Sequence, residues 1–240
     1  IRNSRLKGFK IPGCDEILKA TLFADDTTAY LSQSDDFGEL QMILNKWCSA
    51  SKAKFNIGKT EILPIGHAEY RHEMARVYQD TGKWKGYPER AKMVGDGDAV
   101  RILGAFVGNG VNQSLIWEPR MAKLQEILDR WAVSHTTVMG KKHIAQMFVS
   151  GVTQFMTCVQ RMPRTIAERL KKMIGTMIWE GKNRPPIAIE YLYKPPRLGG
   201  LGLVDIDARN DAIDIVWLRD YLSLGKSRPK WALVADDIIA

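Results

Sequence analysis

The spacing of the apolar residues changes at Gly108-Asn109-Gly110, and that change limits what the chain can fold into. Downstream, Leu124, Ile127, Leu128 and Trp131 fall at i, i+3, i+4 and i+7. Ile144, Met147 and Phe148 continue the pattern, and Ile166, Leu170, Met173, Ile174, Met177 and Ile178 form a further stripe. Residues so spaced share one face of a helix. Residues 111–240 therefore read as a helical domain with its own core, in which the methionines are core fillers. Pro163 near a helix start and Gly181 after a helix end are the expected punctuation. Ala212, Ile213, Val216, Trp217 and Leu218 suggest one more helix. Between Pro185-Pro186 and Pro195-Pro196 the chain should be extended. The glycines of Leu198 to Leu203 lack the G-K-[ST] of a P-loop and read as a tight turn.

Upstream the runs are short and β-compatible. Ile17 to Phe23 is apolar, Asp25 and Asp26 are turn formers, and Thr27 to Leu31 is β-branched and aromatic again, which predicts a hairpin with acids at its tip. Leu40, Ile43, Leu44 and Trp47 predict a helix starting after Ser34-Asp35-Asp36, where a short polar side chain can cap the free amides. That helix is expected to pack on one sheet built from the hairpin and the strands near Glu61 to Ile65 and Arg101 to Val107. Residues 67–98 read as irregular, punctuated by Gly82, Gly86, Pro88, Gly95 and Gly97, with a short helix near Ala68 to Gln79. Lys83-Trp84-Lys85 within that stretch caps a core edge or stacks on a base. The fold class is α+β, with residues 1–110 forming the mixed part and 111–240 the helical part.

Adjacent carboxylates on a rigid turn suit a hard divalent cation, which takes oxygen ligands. In metal-dependent phosphoryl transfer two such ions, about 3.5–4 Å apart, clamp the attacking and leaving oxygens. A solvated turn carries the same dipeptide, so Asp25-Asp26 alone does not choose between these readings.

The order of the segments adds to it. Phe23-Ala24-Asp25-Asp26, a helix, Phe55-Asn56-Ile57-Gly58-Lys59-Thr60 and then Val100 to Gly108 resemble the second half of the palm of a reverse transcriptase of the non-LTR (LINE-type) retrotransposon group. Trp179-Glu180-Gly181-Lys182 and Leu198-Gly199-Gly200-Leu201-Gly202-Leu203 are similar to stretches that follow the palm in those elements. The resemblance implies a partial polymerase palm over 1–110 and a thumb-like and post-thumb region over 111–240. Asp25 and Asp26 would be catalytic metal ligands for Mg2+ or Mn2+ on motif C, with Asp25 the more direct. Asn56 and Lys59 would fall on motif D and Leu103-Gly104 on the primer-gripping motif E. Lys59 then neutralises a triphosphate or protonates pyrophosphate, a role typically contributing on the order of 10²–10⁴-fold, or is an exposed turn lysine. Asn56 is expected to fix its turn by hydrogen bonds. The implied partners are an RNA template, a DNA primer and deoxynucleoside triphosphates, in the nucleus. Motif A, motif B and the fingers belong upstream of Ile1, so the chain reads as a fragment that is inactive alone, and a relic that binds nucleic acid without catalysis is the alternative. A maturase-like protein would share the palm.

Charge agrees with a polyanionic partner. The chain carries 35 Lys and Arg against 27 Asp and Glu, a net +8. Lys141, Lys142, Arg164, Arg169, Lys171, Lys172, Lys182 and Arg184 are the candidate nucleic-acid contacts, either along a backbone-tracking groove or as a solvated basic face. Cys14, Cys48 and Cys158 form neither a zinc knuckle nor a disulfide framework, and His67, His72, His135 and His143 lack zinc spacing. No apolar run reaches the length of about 18 residues that would predict a membrane span, and no signal-peptide pattern opens the chain.

Overall fold

A computed structural model describes residues 1–82, 86–88, 91–181, 185–225 and 227–240. The chain forms two compact units. The first comprises Ile1–Val100, Gly108–Gly110 and Asp220–Ala240, and the second Arg101–Val107 and Val111–Arg219. The helical unit thus takes in a short segment ahead of position 110, and the C-terminal residues belong to the first unit. The class is α+β, with helices joined to small sheets.

In the first unit β1 (Phe9–Lys10) pairs antiparallel with β2 (Ile17–Leu18), and β3 (Ala20–Phe23) with β4 (Asp26–Ala29). Helix α1 (Phe37–Ser51) begins where the polar triplet ends. The Asp36 side chain accepts the N–H of Gly38 at 2.9 Å, satisfying one of the free donors of the first turn. Helix α2 (Ala68–Thr81) closes on Gly82 at φ +68, the left-handed C-cap that glycine reaches without strain. The hydroxyl of its buried Tyr78 lies within hydrogen-bond reach of the carbonyls of Pro88 and Ala91, to which its one proton can be shared. The stretch expected to be irregular is thereby tied to a helix, and β6 (Lys92–Met93) returns to pair parallel with β5 (Glu61–Ile62). Lys83-Trp84-Lys85 lies outside the described residues. Helix α9 (Lys230–Ile239), with Ala232 buried, completes this unit.

The single sheet expected around the acid hairpin does not form. Among the described residues the strands make four separate two-stranded sheets, β5 with β6 and β7 (Val100–Ile102) with β8 (Ala105–Val107) among them. For β8 a reason lies within the helical unit. The Gln160 side chain accepts the N–H of Phe106 at 2.8 Å and donates to its carbonyl at 3.0 Å, occupying groups that another strand would need.

That unit contains α3 (Gln113–Ala132), α4 (Val138–Ile144), a π-helical turn (Ala145–Ser150), α5 (Gly151–Gln160), α6 (Arg164–Ile178), α7 (Ile189–Tyr193) and most of α8 (Ile206–Tyr221). Its core gathers Trp117, Leu124 and Leu128 of α3, Val149 and Met156, and Ile166, Leu170, Ile174 and Ile178 of α6. Two expectations fail. Met147 is exposed rather than inward, because the wider π turn adds a residue to the period and brings Ala145 and Val149 inside instead. The segment between the proline pairs is helical in its middle. Proline restricts only the residue before it, and Lys194, which precedes Pro195, is the extended one at φ −57 and ψ 145.

The glycine turn after α7 is built on a close approach. The N–H groups of Leu201 and Leu203 both donate to the Leu192 carbonyl, at 3.1 and 2.9 Å, and Gly202 donates to Lys194 O at 2.7 Å. A Cβ on Gly200 would stand 2.0 Å from the Lys194 oxygen. We expect Gly200→Ala to destabilise the protein by about 1–3 kcal/mol in denaturant titration. Gly225→Ala, whose Cβ meets nothing within 4 Å, should stay within about 0.5 kcal/mol of the parent.

Candidate functional site

The acid turn is a two-residue hairpin loop. Phe23 and Asp26 form the last pair, Ala24 and Asp25 make the turn, and the ladder runs back through Leu22↔Thr27, Thr21↔Thr28 and Ala20↔Ala29. Ala24 sits at φ +51, a conformation costing an L-residue roughly 1–2 kcal/mol, which the pairing of the ladder must offset. The turn thus presents Asp25 in the loop and Asp26 as the first residue of β4. Both are exposed, and neither makes an ion pair or side-chain hydrogen bond among the described residues. Leu22 and Phe23 are exposed too, at 71% and 65%.

One carboxylate fixes the approach to this hairpin. Asp35 accepts the backbone N–H groups of Lys7 at 2.7 Å, Gly8 at 2.9 Å and Ser32 at 2.8 Å, joining the chain ahead of β1 to the chain after β4. Partial burial pushes its pKa up, and these donors more than reverse that, holding it below the ordinary 3.8. By sequence Asp35 shares with Asp36 the position of a helix cap. Its actual partners lie up to 28 residues away, and no local pattern marks them.

Lys59 closes a 3-10 turn (Ile57–Lys59) and is exposed, and its side chain bonds neither aspartate among the described residues. Asn56 acts through its backbone. Its carbonyl accepts the Lys59 N–H at 3.1 Å and the Thr60 hydroxyl at 3.1 Å, and its side chain makes no capping bond. Leu103 and Gly104 form the β7–β8 loop at φ +50 and +88.

Two unpaired carboxylates fit Mg2+ or Mn2+ in donor chemistry. No group of three or more His, Cys, Asp or Glu side chains that could hold a metal converges among the described residues.

The fold rearranges the basic candidates. Lys141 is buried, and its ammonium meets Glu180 at 2.6 Å; Arg164 pairs with Glu168 at 3.0 Å, Arg169 with Glu118, and Lys171 with Asp207 at 2.7 Å. Lys142 and Lys172 make no ion pair among the described residues, and neither do Arg130 and Arg197, outside the expected set. Lys182 and Arg184 lie outside the described residues. The sequence window missed the partners because Glu118 and Asp207 belong to other helices. Even so, the helical unit holds 17 Lys and Arg against 10 Asp and Glu, leaving the first unit close to neutral.

No protein-family model matches this chain, and comparison with curated proteins finds no match. No helix is long and apolar enough to cross a membrane among the described residues.

Two outcomes test the geometry. Ala24→Gly relieves the positive φ and should stabilise the protein by about 0.5–1 kcal/mol, measured by thermal or denaturant unfolding. Because the folded pKa of Asp35 is depressed, its contribution is complete above the unfolded carboxylate value of about 3.9 and disappears as pH falls through the folded value. Asp35→Asn should lower stability at pH 7 and flatten the loss of stability below about pH 4.

Proposed function

We propose that this chain is part of an RNA-directed DNA polymerase of the non-LTR retrotransposon kind, with a partial palm carrying Asp25 and Asp26 and a helical, thumb-like unit that tracks a template–primer. The observation that carries the reading is the acid turn: two adjacent, exposed carboxylates without ion-pair partners among the described residues, on a tight hairpin whose first loop residue is held in a costly conformation. A strained backbone at a cluster of acids is the usual company of a metal or catalytic site. Leu22 and Phe23, exposed beside it on a two-stranded sheet, suit a hairpin that belongs to a larger sheet.

In this reading Asp25 is the direct metal ligand and Asp26 its neighbour, and a third carboxylate comes from motif A, upstream in the family. Bound there, Mg2+ or Mn2+ would supply positive charge to the attacking 3′ oxygen and the departing pyrophosphate. Lys59, exposed at the end of its turn, offers a cation to the triphosphate. The basic helical unit supplies phosphate contacts that depend on charge and not on sequence. Nuclear residence follows from the same proposal.

A second reading, nucleic-acid binding without catalysis, is favoured by the charge asymmetry and by the missing third ligand among the described residues. One experiment separates them. The reading frame is extended upstream of the codon for Ile1, and the longer protein is assayed on a primed RNA template. Polymerase function requires primer extension that Asp25→Ala reduces by on the order of 10³-fold or more, with duplex affinity within about twofold. Extension that survives Asp25→Ala overturns the assignment, and a frame without a further metal-binding Asp leaves the binding reading.

A further inference from the structure

The cations of the helical unit divide into those neutralised by acids and those left over, and several of the latter collect at one turn. Residues 194–202 fold back on themselves: Gly199 donates to Pro196 O, Gly200 to Pro195 O and Gly202 to Lys194 O. From α4, Lys142 reaches this turn, its Nζ standing 3.9 Å from where a Cβ of Gly202 would lie. Arg197 is exposed on the turn itself. Lys194, also exposed, holds its ammonium 4.5 Å from the centroid of the Tyr191 ring. None of Lys142, Lys194 and Arg197 makes an ion pair among the described residues.

The acids nearby are mostly committed. Asp207 pairs with Lys171, and Asp205 accepts the N–H groups of Asp207 and Ala208 at the start of α8. Glu190 remains, on the groove that Lys194 shares with them. Gly200, with no room for a side chain, keeps the turn in one shape.

The chemistry of the turn narrows the ligand. Its backbone N–H groups from Gly199 to Leu203 are all spent on internal carbonyls, so it is not a nest for one compact phosphate. The contacts on offer are three separate side-chain cations, which suit successive phosphates of an extended chain. Tyr191, 56% exposed beside them, adds an aromatic surface on which a base can stack.

We propose that this turn is a binding site for single-stranded nucleic acid, in which Lys142, Lys194 and Arg197 contact the phosphate backbone and Tyr191 stacks on a base. The site deepens the nucleic-acid reading of the helical unit and is independent of the acid turn.

The test is a fluorescence-anisotropy titration of a labelled 20-nucleotide single strand with the whole chain, in EDTA and over a range of salt. Removing metal makes the result blind to Asp25 and Asp26, so failure here and failure of the polymerase reading are distinguishable. The combined Lys142→Gln, Lys194→Gln and Arg197→Gln variant should bind about tenfold or more weakly, with the salt slope of log K reduced by about 2. Tyr191→Leu should weaken binding about fivefold or more and leave the slope unchanged, because a stacking contact releases no counterions. Lys123→Gln, which removes a cation already paired with Glu126, should change neither. Arg197→Gln alone, at an exposed position, keeps the test available if the triple variant does not fold, and should reduce the slope by about 0.7. An unchanged slope in the folded triple variant or in Arg197→Gln overturns the site. So does an equal fall for Lys123→Gln, or preferential binding of phosphatidylserine vesicles through the same residues.

Discussion

The apolar stripe of α6 decides where the charges of the helical unit can go. Ile166, Ala167, Leu170, Ile174 and Ile178 are buried on one side, and together with Trp117, Leu124 and Leu128 of α3 they make the centre of the core. Each of the buried leucines and isoleucines contributes roughly 1.5–3 kcal/mol, so the orientation of α6 is not negotiable by a few surface ion pairs worth about 0–1 kcal/mol each. Arg164, Arg169, Lys171 and Lys172 must then lie on the remaining surface. There Arg169 meets Glu118 of α3 and Lys171 meets Asp207 of α8. Packing comes first, and the pattern of free and neutralised cations follows from it.

A different balance operates at the acid turn. Ala24 is held at positive φ by a four-pair ladder, and the ends of the hairpin region are joined through the three N–H groups that converge on Asp35. Gly8, one of those donors, has φ +59, and a Cβ there would stand 2.6 Å from Leu18 O, so the same residue that feeds Asp35 also lets β1 and β2 approach. Acids exposed at a loop tip carry little stability of their own. What the surrounding residues do is fix the backbone from which those acids project.

What could be read from sequence divides along the range of the interactions. The N-cap at Asp36, the stripes of α3 and α6 and the two-residue acid turn depend on neighbours within a few positions, and each is visible as spacing or turn chemistry. The occupation of the backbone of β8 was not, because Gln160 bonds Phe106 from 54 residues away. Nor was the fate of the basic window, since its acids sit on α3 and α8. Met147 was misread for a local reason, a π turn that composition does not announce. At the candidate site, the hairpin geometry was legible and the role of Asp35 was not, because its partners Lys7 and Gly8 lie 28 and 27 residues away.

The half-buried guanidinium of Arg209 shows why net charge is an incomplete guide to binding. Burial lowers its pKa, and its donors go to Thr153 Oγ1 at 2.8 Å, Asn210 Oδ1 at 2.9 Å, and, at 3.4 Å, to Ser150 O and Thr157 Oγ1. Three of those acceptors, Ser150 O and the Thr153 and Thr157 hydroxyls, lie at the end of the π turn and along α5, where the regular helical bonding is interrupted, so this cation serves the fold. Lys141 is likewise spent, buried against Glu180. A charge that already satisfies a carbonyl, a hydroxyl or a carboxylate releases no counterion when a phosphate approaches unless that bond is first given up. Affinity for a polyanion should therefore follow the few cations without an ion pair and not the total: in this unit Lys194 and Arg197 are exposed at the glycine turn, and half-buried Lys142 reaches it from α4.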